Sequence, residues 1–251
     1  MAEIATRRLF IALFLFAVWF GVSVASAATP ERGVSLTILH TSDIHARLLP
    51  YDCASGTAMG GYARIKAYKE SLEAEGKTVL LLSSGDVFQG TLFFRFFRGM
   101  PDIDFMNRSG YAAMALGNHE FDAGQDGMAE AFAQARFPVL SANLSFTHPR
   151  LSQQIKPSVI VPVTTPHGLV KIGLIGLTTE KLHEDCPVSL LQGVQVKSAR
   201  EAAQQEICRL KTEGADLIFL LTHLGWNRDV ELLEALPDVR SEERRVGKEC
   251  E

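Results

Sequence analysis

Short apolar runs alternate along the chain with segments in which apolar residues recur every three or four positions. The apolar runs predict buried strands and cover residues 35–40, 78–84, 112–116, 138–141 and 216–222. The segments with helical spacing predict helices and cover residues 63–75, 126–135, 198–211 and 229–235. Strands that are apolar on both faces are typical of sheets covered by helices. The pattern therefore predicts an α/β fold.

Two apolar segments near the middle of the chain differ from the others because a tight turn separates them. Residues 158–163 and 169–176 flank residues 165–168 (TPHG), which have the composition of a turn. This arrangement predicts a hairpin and adds antiparallel character to the fold. No stretch rich in Pro, Gly or Ser divides the chain, so we expect a single domain after the N-terminal segment.

An aromatic segment at residues 92–97 (LFFRFF) has the spacing of a helix. Aromatic side chains at helical spacing usually pack in a core. We therefore expect this segment to be buried rather than to provide a stacking surface for a substrate.

The first 27 residues have the composition of a secretory signal peptide. Arg7 and Arg8 precede an apolar run at residues 9–24, and the small residues 25–27 (ASA) follow it. A basic start, an apolar centre and an A-x-A cleavage site are the three parts of such a leader. We expect cleavage after residue 27 and export to the periplasm or the extracellular space. The alternative is an uncleaved leader acting as a membrane anchor, although this run is shorter than the roughly 20 residues of a span.

Composition and charge narrow the class of protein without identifying a function. The chain has 25 basic and 29 acidic residues, hence a formal charge of −4, and 47% of its residues are apolar. These values are ordinary for a globular protein, and the lack of a basic excess argues against nucleic acid as a docked partner. The four cysteines form no C-x-x-C pair, so we expect free or singly paired structural thiols. The oligomeric state stays open.

Polar side chains able to bind a metal follow four of the predicted strands. They are Asp43, His45, Asp86, Asn118 and His223. In α/β sheets the loops at the carboxyl ends of strands meet in a common crevice, so these residues can share one site. Carboxylate, amide and imidazole groups without a thiolate suit Zn²⁺, Mn²⁺ or iron. Five such groups exceed what one open metal site needs, whereas two ions sharing a carboxylate about 3.5–4 Å apart would use them all.

Each motif alone has a plainer explanation. The D-x-H triplet at residues 43–45 could be a surface turn, Asp86 could cap a helix, and His223 could be a structural histidine. The G-N-H-E sequence at residues 117–120 is different, because chance produces it in roughly one chain in a thousand. Its occurrence with the other three motifs, each at the end of a strand, favours a shared metal site.

Six segments resemble, in order and spacing, the calcineurin-like metallophosphoesterases. They are residues 40–45 (HTSDIH), 60–64 (GGYAR), 84–90 (SGDVFQG), 117–122 (GNHEFD), 141–143 (SAN) and 221–225 (LTHLG). Within that superfamily the chain resembles most the exported group that contains 5′-nucleotidases, UDP-sugar hydrolases and 2′,3′-cyclic-nucleotide phosphodiesterases. The resemblance covers residues 36–239.

This resemblance implies a fold and a set of metal ligands. The implied fold is a four-layer α/β/β/α sandwich with two mixed sheets. Asp43, His45 and Asp86 would hold a first divalent ion, such as Zn²⁺ or Mn²⁺. Asp86, Asn118 and His223 would hold a second ion, so that Asp86 bridges the pair.

The resemblance also implies catalytic roles for two further positions. His119 and Asp122 match the catalytic His-Asp pair of the family, and Asn118 and His119 would contact the substrate. His119 would stabilise charge on the phosphate or protonate the leaving group, and Asp122 would orient its ring. A structural role for His119, and a helix-start carboxylate for Asp122, are the alternatives.

The chain departs from the family pattern at its C-terminal end. The family completes its metal site with a Gly-His-x-His or Gly-His-x-Gln segment on the next strand, and its second domain binds base and phosphate. Here residues 240–251 are highly charged and have no strand or helix periodicity. We therefore expect an incomplete N-terminal metallophosphoesterase domain at residues 28–239, followed by a non-native tail at residues 240–251. A native, solvated tail is the alternative.

The resulting hypothesis is a dinuclear-metal phosphoester hydrolase that acts on nucleotides or nucleotide sugars, with impaired activity in this chain. One alternative is a thiosulfate-ester hydrolase of the sulfur-oxidation type, which resembles the same family. A further alternative is an inactive exported metal-binding fragment.

Overall fold

The structure is a computed structural model that describes residues 34–52, 56 and 58–236. The predicted signal peptide, the predicted tail, Cys53 and Cys250 lie outside the described residues. The other two cysteines are free thiols, of which Cys186 is buried and Cys208 is exposed. Within the described ranges, no helix combines the length and the apolar character needed to cross a membrane.

Strands and helices alternate along the chain, as the apolar pattern predicts. The strands are β1 (Thr37–Thr41), β2 (Tyr51–Asp52), β3 (Ala58–Met59), β4 (Val79–Ser83), β5 (Ala113–Ala115), β6 (Val139–Leu140), β7 (Leu144–Phe146), β8 (Ile155–Lys156), β9 (Ser158–Thr165), β10 (Gly168–Thr178), β11 (Val194–Val196) and β12 (Leu217–His223). The α-helices are α1 (Tyr62–Ala74), α2 (Leu92–Phe97), α3 (Met100–Ser109), α4 (Gly124–Phe132), α5 (Leu151–Gln154), α6 (Leu182–Asp185), α7 (Ala199–Thr212) and α8 (Trp226–Ala235). Short 3-10 helices lie at His119–Ala123 and Val188–Leu190.

The described strands form two larger sheets of different character. The first has the order β1-β4-β5-β6-β8, and every neighbouring pair in it is parallel. The second has the order β12-β10-β9, in which β10 pairs in parallel with β12 and antiparallel with β9. The predicted hairpin is thus confirmed, but only the second sheet is mixed. Helical crossovers between successive strands of the first sheet explain its parallel pairing.

Apolar side chains point alternately to the two faces of each sheet and form three layers of core. On β4, Leu81 packs in the cluster that contains α1 and α3, while Leu82 packs in the cluster between the two sheets. On β10, Leu174 belongs to the cluster between the sheets, while Ile175 packs with α7 and α8. The order of layers is therefore helix, sheet, sheet, helix, which confirms the four-layer α/β/β/α architecture.

Local sequence signals explain where individual helices begin and end. The Ser198 hydroxyl accepts the backbone N–H of Glu201 at 3.3 Å at the start of α7, and Ser-x-x-Glu is the spacing of a capping box. The apolar pattern did not predict α3, which starts after Gly99, has Pro101 in its first turn and ends before Gly110. Both glycines have left-handed backbone conformations, which glycine adopts without a steric penalty.

The aromatic segment forms helix α2, but the prediction that it is buried is wrong for most of its side chains. Leu92 is 68% exposed and Phe96 is 71% exposed. Phe94 packs against the core, with its ring centroid 5.8 Å from that of Phe88. Arg98, in a left-handed conformation, ends the helix after six residues. This six-residue helix therefore lies at the surface, and Phe94 is the side chain that anchors it to the core.

The backbones of the two sheets come into contact at Gly176 of β10. The N–H of Ala142 donates to the carbonyl of Gly176 at 2.8 Å. A Cβ at position 176 would lie 2.3 Å from the carbonyl oxygen of Leu140, the last residue of β6. Glycine at this position therefore permits the two sheets to approach at their strand ends.

We expect Gly176→Ala to lower the free energy of unfolding by about 1–3 kcal/mol, because the new methyl group meets backbone that cannot move aside cheaply. Gly173→Ala is the matched control on the same strand, since its methyl group would lie 2.9 Å from the flexible end of Leu210. Urea unfolding of both variants measures the difference. If both variants lost the same free energy of unfolding, the backbone contact at Gly176 would not be important for stability.

Candidate metal centre

Four loops carry the predicted ligands to one crevice. Strands β1, β4 and β5 run parallel in the first sheet, and the loops at their carboxyl ends carry Asp43, Asp86 and Asn118. His223 ends β12 of the second sheet, where it pairs with Thr178 of β10. One ligand atom each from Asp43, Asp86 and His223 lie within 4.8 Å of one another. The structure therefore brings together side chains that are up to 180 positions apart in the sequence.

Strained backbone conformations characterise the first two of these loops. Six described residues other than glycine have a positive φ, and five of them follow β1 or β4: Asp43, His45, Ala46, Asp86 and Gln89. Such conformations cost on the order of 1–3 kcal/mol each and cluster at functional sites. Hydrogen bonds between the loops offset this cost. The N–H groups of Asp43, His45 and Ala46 donate to the carbonyls of Gly85, Asp86 and Val87 at 3.1, 3.0 and 2.8 Å.

The ring of His45 is oriented by a backbone carbonyl. Its Nδ1–H donates to the carbonyl of Phe88 at 3.2 Å. This hydrogen bond leaves the lone pair of Nε2 available to a metal ion. Nε2 lies 3.8 Å from Oδ1 of Asp43. Histidines that bind metals usually donate their other ring N–H in this way. His45 and Asp43 are therefore close enough to share an ion, whereas the three donors that lie within 4.8 Å of one another are Asp43, Asp86 and His223.

His223 forms the centre of a second possible ligand set, which includes Asp86. Its Nδ1–H donates to the carbonyl of Ser84 at 2.9 Å. Its Nε2 lies 3.2 Å from Oδ1 of Asn118 and 3.3 Å from Oδ2 of Asp86. Ligand atoms bound tetrahedrally at about 2.0–2.2 Å from an ion lie roughly 3.3–3.6 Å apart. Both distances from Nε2 of His223 are thus close to the separation of two ligand atoms around one divalent cation.

Gly85 and Gly117 allow the two central loops to touch. A Cβ on Gly85 would lie 2.5 Å from the backbone nitrogen of Gly117. A Cβ on Gly117 would lie 2.2 Å from Oδ1 of Asp86. The glycine that precedes Asp86 and the glycine that precedes Asn118 are therefore required by the close approach of these loops.

Asp86 and His223 form an ion pair inside the crevice. Burial lowers the pKa of His223, but the hydrogen bond and charge of Asp86 outweigh burial and raise this pKa to about 9. Burial raises the pKa of Asp86, yet the hydrogen bond and charge of His223 bring it below its usual value. The proton on His223 therefore supplies positive charge near neutral pH. A metal ion bound through Nε2 must displace that proton.

His119 and Asp122 lie beside these residues on the 3-10 helix that follows β5. Nδ1 of His119 is 2.7 Å from Oδ2 of Asp122. Burial lowers the pKa of His119, but the hydrogen bond that its ring donates to Asp122 and the charge of Asp86 outweigh burial, and the pKa lies above its ordinary value. The His119 ring centroid is 5.2 Å from that of His45. The pair therefore borders the candidate ligands and leaves Nε2 of His119 available.

All seven predicted site residues lie in or beside this crevice, but the sequence did not indicate their supporting partners. The carbonyls of Phe88 and Ser84 orient the two histidines. Glu120 is fully buried and accepts hydrogen bonds from both central loops. The sequence did contain a signal for Glu120. It is the acidic residue of the G-N-H-E motif, and the sequence alone assigned it no role.

Residues 36–247 match the family described as calcineurin-like phosphoesterase. A snake venom 5′-nucleotidase from Gloydius brevicauda is 38% identical over 228 residues, which are 86% of this chain and 37% of that protein. A 5′-nucleotidase from Homo sapiens is 36% identical over 218 residues, 83% of this chain and 37% of that protein. The crystal structure of a 5′-nucleotidase precursor from Thermus thermophilus is 41% identical with a TM-score of 0.71, covering 78% of this chain and 38% of that one. The chain thus spans less than two fifths of the length of these relatives.

We expect Zn²⁺ binding at pH 7 to release about one proton from His223, because this residue is protonated at that pH and Nε2 must lose its proton to bind a metal. Apparent Zn²⁺ affinity should rise with pH for the same reason. Titration calorimetry in buffers of different ionisation enthalpy measures the proton release. His167→Ala, in the exposed turn between β9 and β10, is the control and should release the same number. Binding without proton release would contradict the ion pair described above.

Proposed function

This chain belongs to the calcineurin-like phosphoesterase family, and we propose that it forms the metal centre of a hydrolase that acts on nucleotide phosphoesters. The observation that carries the proposal is the position of Nε2 of His223, within 3.3 Å of both Asn118 and Asp86. The relatives support nucleotides as the substrate class, because those compared above are named 5′-nucleotidases.

We assign two divalent cations, such as Zn²⁺ or Mn²⁺, to the two sets of donors. Asp43, His45 and Asp86 would hold the first, and Asp86, Asn118 and His223 would hold the second. The donor chemistry supports this assignment, because neutral imidazole, amide oxygen and carboxylate are ligands that both ions accept. The carbonyl bonds that fix Nδ1 of each histidine also support it, since they leave Nε2 of each ring to bind the metal.

The residues around the cations have different roles in the proposed hydrolysis. Bound divalent ions supply the positive charge that polarises a phosphoryl group and lowers the pKa of water. His119 donates from Nε2 to the phosphoryl oxygen or to the leaving oxygen. Asp122 holds the ring in the required tautomer and raises its basicity. Asn118 would contact the phosphate beside His119 through its amide nitrogen, because its oxygen would help to hold the second cation.

The substrate is a small nucleotide or nucleotide sugar, without docking of nucleic acid. A formal charge of −4 and the lack of a basic excess support the exclusion of a polyanionic partner. We also propose that the protein is exported to the periplasm or the extracellular space. Support for export comes from the leader at residues 1–27, whose basic, apolar and small segments occur in the order of a signal peptide.

Because we expect impaired activity, this chain should release phosphate from AMP only slowly in the presence of Mn²⁺ or Zn²⁺, and a chelator should abolish the release. His119→Ala should lower kcat by about 10²–10⁴-fold, which is the usual contribution of a general acid or base. His167→Ala should retain the wild-type rate, because His167 lies in an exposed turn. A colorimetric phosphate assay measures each rate.

The products distinguish this proposal from the other two hypotheses. Bound metal without phosphate release from any nucleotide would contradict it. Sulfate released from a thiosulfate ester would instead favour the sulfur-oxidation type of hydrolase. Neither product, with metal bound, would indicate an inactive metal-binding fragment.

A further inference from the structure

Glu120 is a buried acidic residue that the proposed chemistry does not use. Its side chain is fully buried, on the 3-10 helix that follows β5. Its two oxygens accept four backbone N–H groups. Oε2 accepts from Gly117 at 2.7 Å and from Asp86 at 3.1 Å, and Oε1 accepts from Val87 at 2.8 Å and from Phe88 at 3.3 Å.

These four amides belong to the two loops that carry the central candidate ligands. The amides of residues 86–88 lie in the loop after β4, which contains Asp86. The amide of Gly117 lies in the loop after β5, one residue before Asn118. A single carboxylate thus links the backbone of the shared ligand to the backbone of a ligand of the second ion.

The backbone conformation of the first loop depends on such an acceptor. Gly85 has a φ of 97° and Asp86 a φ of 53°, which turns three successive N–H groups toward the same side. Successive amides arranged in this way form a concave nest that binds an anionic group. Without the carboxylate these buried N–H groups would lack an acceptor, which proteins rarely tolerate.

A direct role for Glu120 as a metal ligand does not fit its surroundings. Each of its oxygens already accepts two hydrogen bonds, which occupies the lone pairs that a metal would use. Asp43, by contrast, is an exposed carboxylate at the mouth of the same crevice. Glu120 therefore acts on the ligands through the backbone rather than as one of them.

We propose that Glu120 is a positioning residue of the metal centre, whose carboxylate holds the Asp86 loop and the Asn118 loop at the separation that shared metal binding requires. This assignment rests on the proposed metal-dependent function. It adds to that function a residue that contacts neither metal nor substrate.

Zn²⁺ affinity of the full chain, measured by competition with a chelating dye, tests the proposal. Glu120→Gln keeps the size of the side chain but places an NH₂ group against backbone N–H donors. We expect it to weaken Zn²⁺ binding by about 10–100-fold, as loss of a supporting partner usually does. Glu120→Asp keeps the carboxyl group and should recover part of the affinity, although its shorter side chain cannot reach all four amides.

Leu210→Ala is the control for a general loss of stability. Leu210 is fully buried in the cluster between α7 and the second sheet, so its truncation lowers stability without touching the ligand loops. Affinities are compared at a temperature at which circular dichroism shows each variant to be folded. We expect Leu210→Ala to bind Zn²⁺ like the wild type despite its lower Tm.

Each outcome of this comparison bears on the proposal. Wild-type affinity in folded Glu120→Gln, or equal weakening in Leu210→Ala, would overturn the assignment and leave the proposed function intact. Failure of both Glu120 variants to fold would show a role in folding alone and would also overturn it. A wild-type chain that binds no metal would overturn the proposed function together with this inference.

Discussion

The face-to-face packing of the two sheets is the constraint on which the candidate site depends. His223 belongs to the second sheet, whereas the other ligands follow strands of the first. Hydrogen bonds fix the sheets to each other directly behind the ligands. The Thr178 hydroxyl donates to the carbonyl of Leu116 at 2.7 Å, and the Thr178 N–H donates to Oδ1 of Asn143 at 2.9 Å. Since Thr178 pairs with His223 and Leu116 precedes Asn118 by two residues, these bonds set the distance between the two ligands.

Rigid loops are the second requirement, because the backbone must hold the metal ligands in position before a cation binds and attracts them. The left-handed residues after β1 and β4 are unfavourable on their own, and they persist because the two loops share backbone hydrogen bonds. The carbonyl partners of His45 and His223 remove further freedom from the rings. A site organised in this way loses little conformational entropy when it binds its ions.

Charge explains why this arrangement is sensitive to protons and metals. Asp86 is 3% exposed, and a buried carboxylate is costly unless it is paired and hydrogen-bonded. His223⁺ supplies the pairing, and the N–H of His119 supplies a hydrogen bond to Oδ1 at 2.9 Å. A divalent cation would replace the proton of His223 with a larger charge at the same place. A metal ion and a proton therefore compete for Nε2 of His223, and either one neutralises the buried charge of Asp86.

The sequence by itself predicted the alternation of strands and helices, the hairpin and five candidate metal ligands. Those features follow from local periodicity and from the rule that loops after strands meet at one edge of a sheet. His119 and Asp122 were predicted only from the resemblance to a family. Only the tertiary structure decided that α2 is exposed, that the first sheet is parallel throughout, and which nitrogen of each histidine faces its neighbours. It also decided the surroundings of Glu120, whose partners at residues 86–88 lie more than 30 positions earlier in the chain. Periodicity indicates which face of an element is apolar, whereas burial and hydrogen-bond partners depend on segments that only packing brings together.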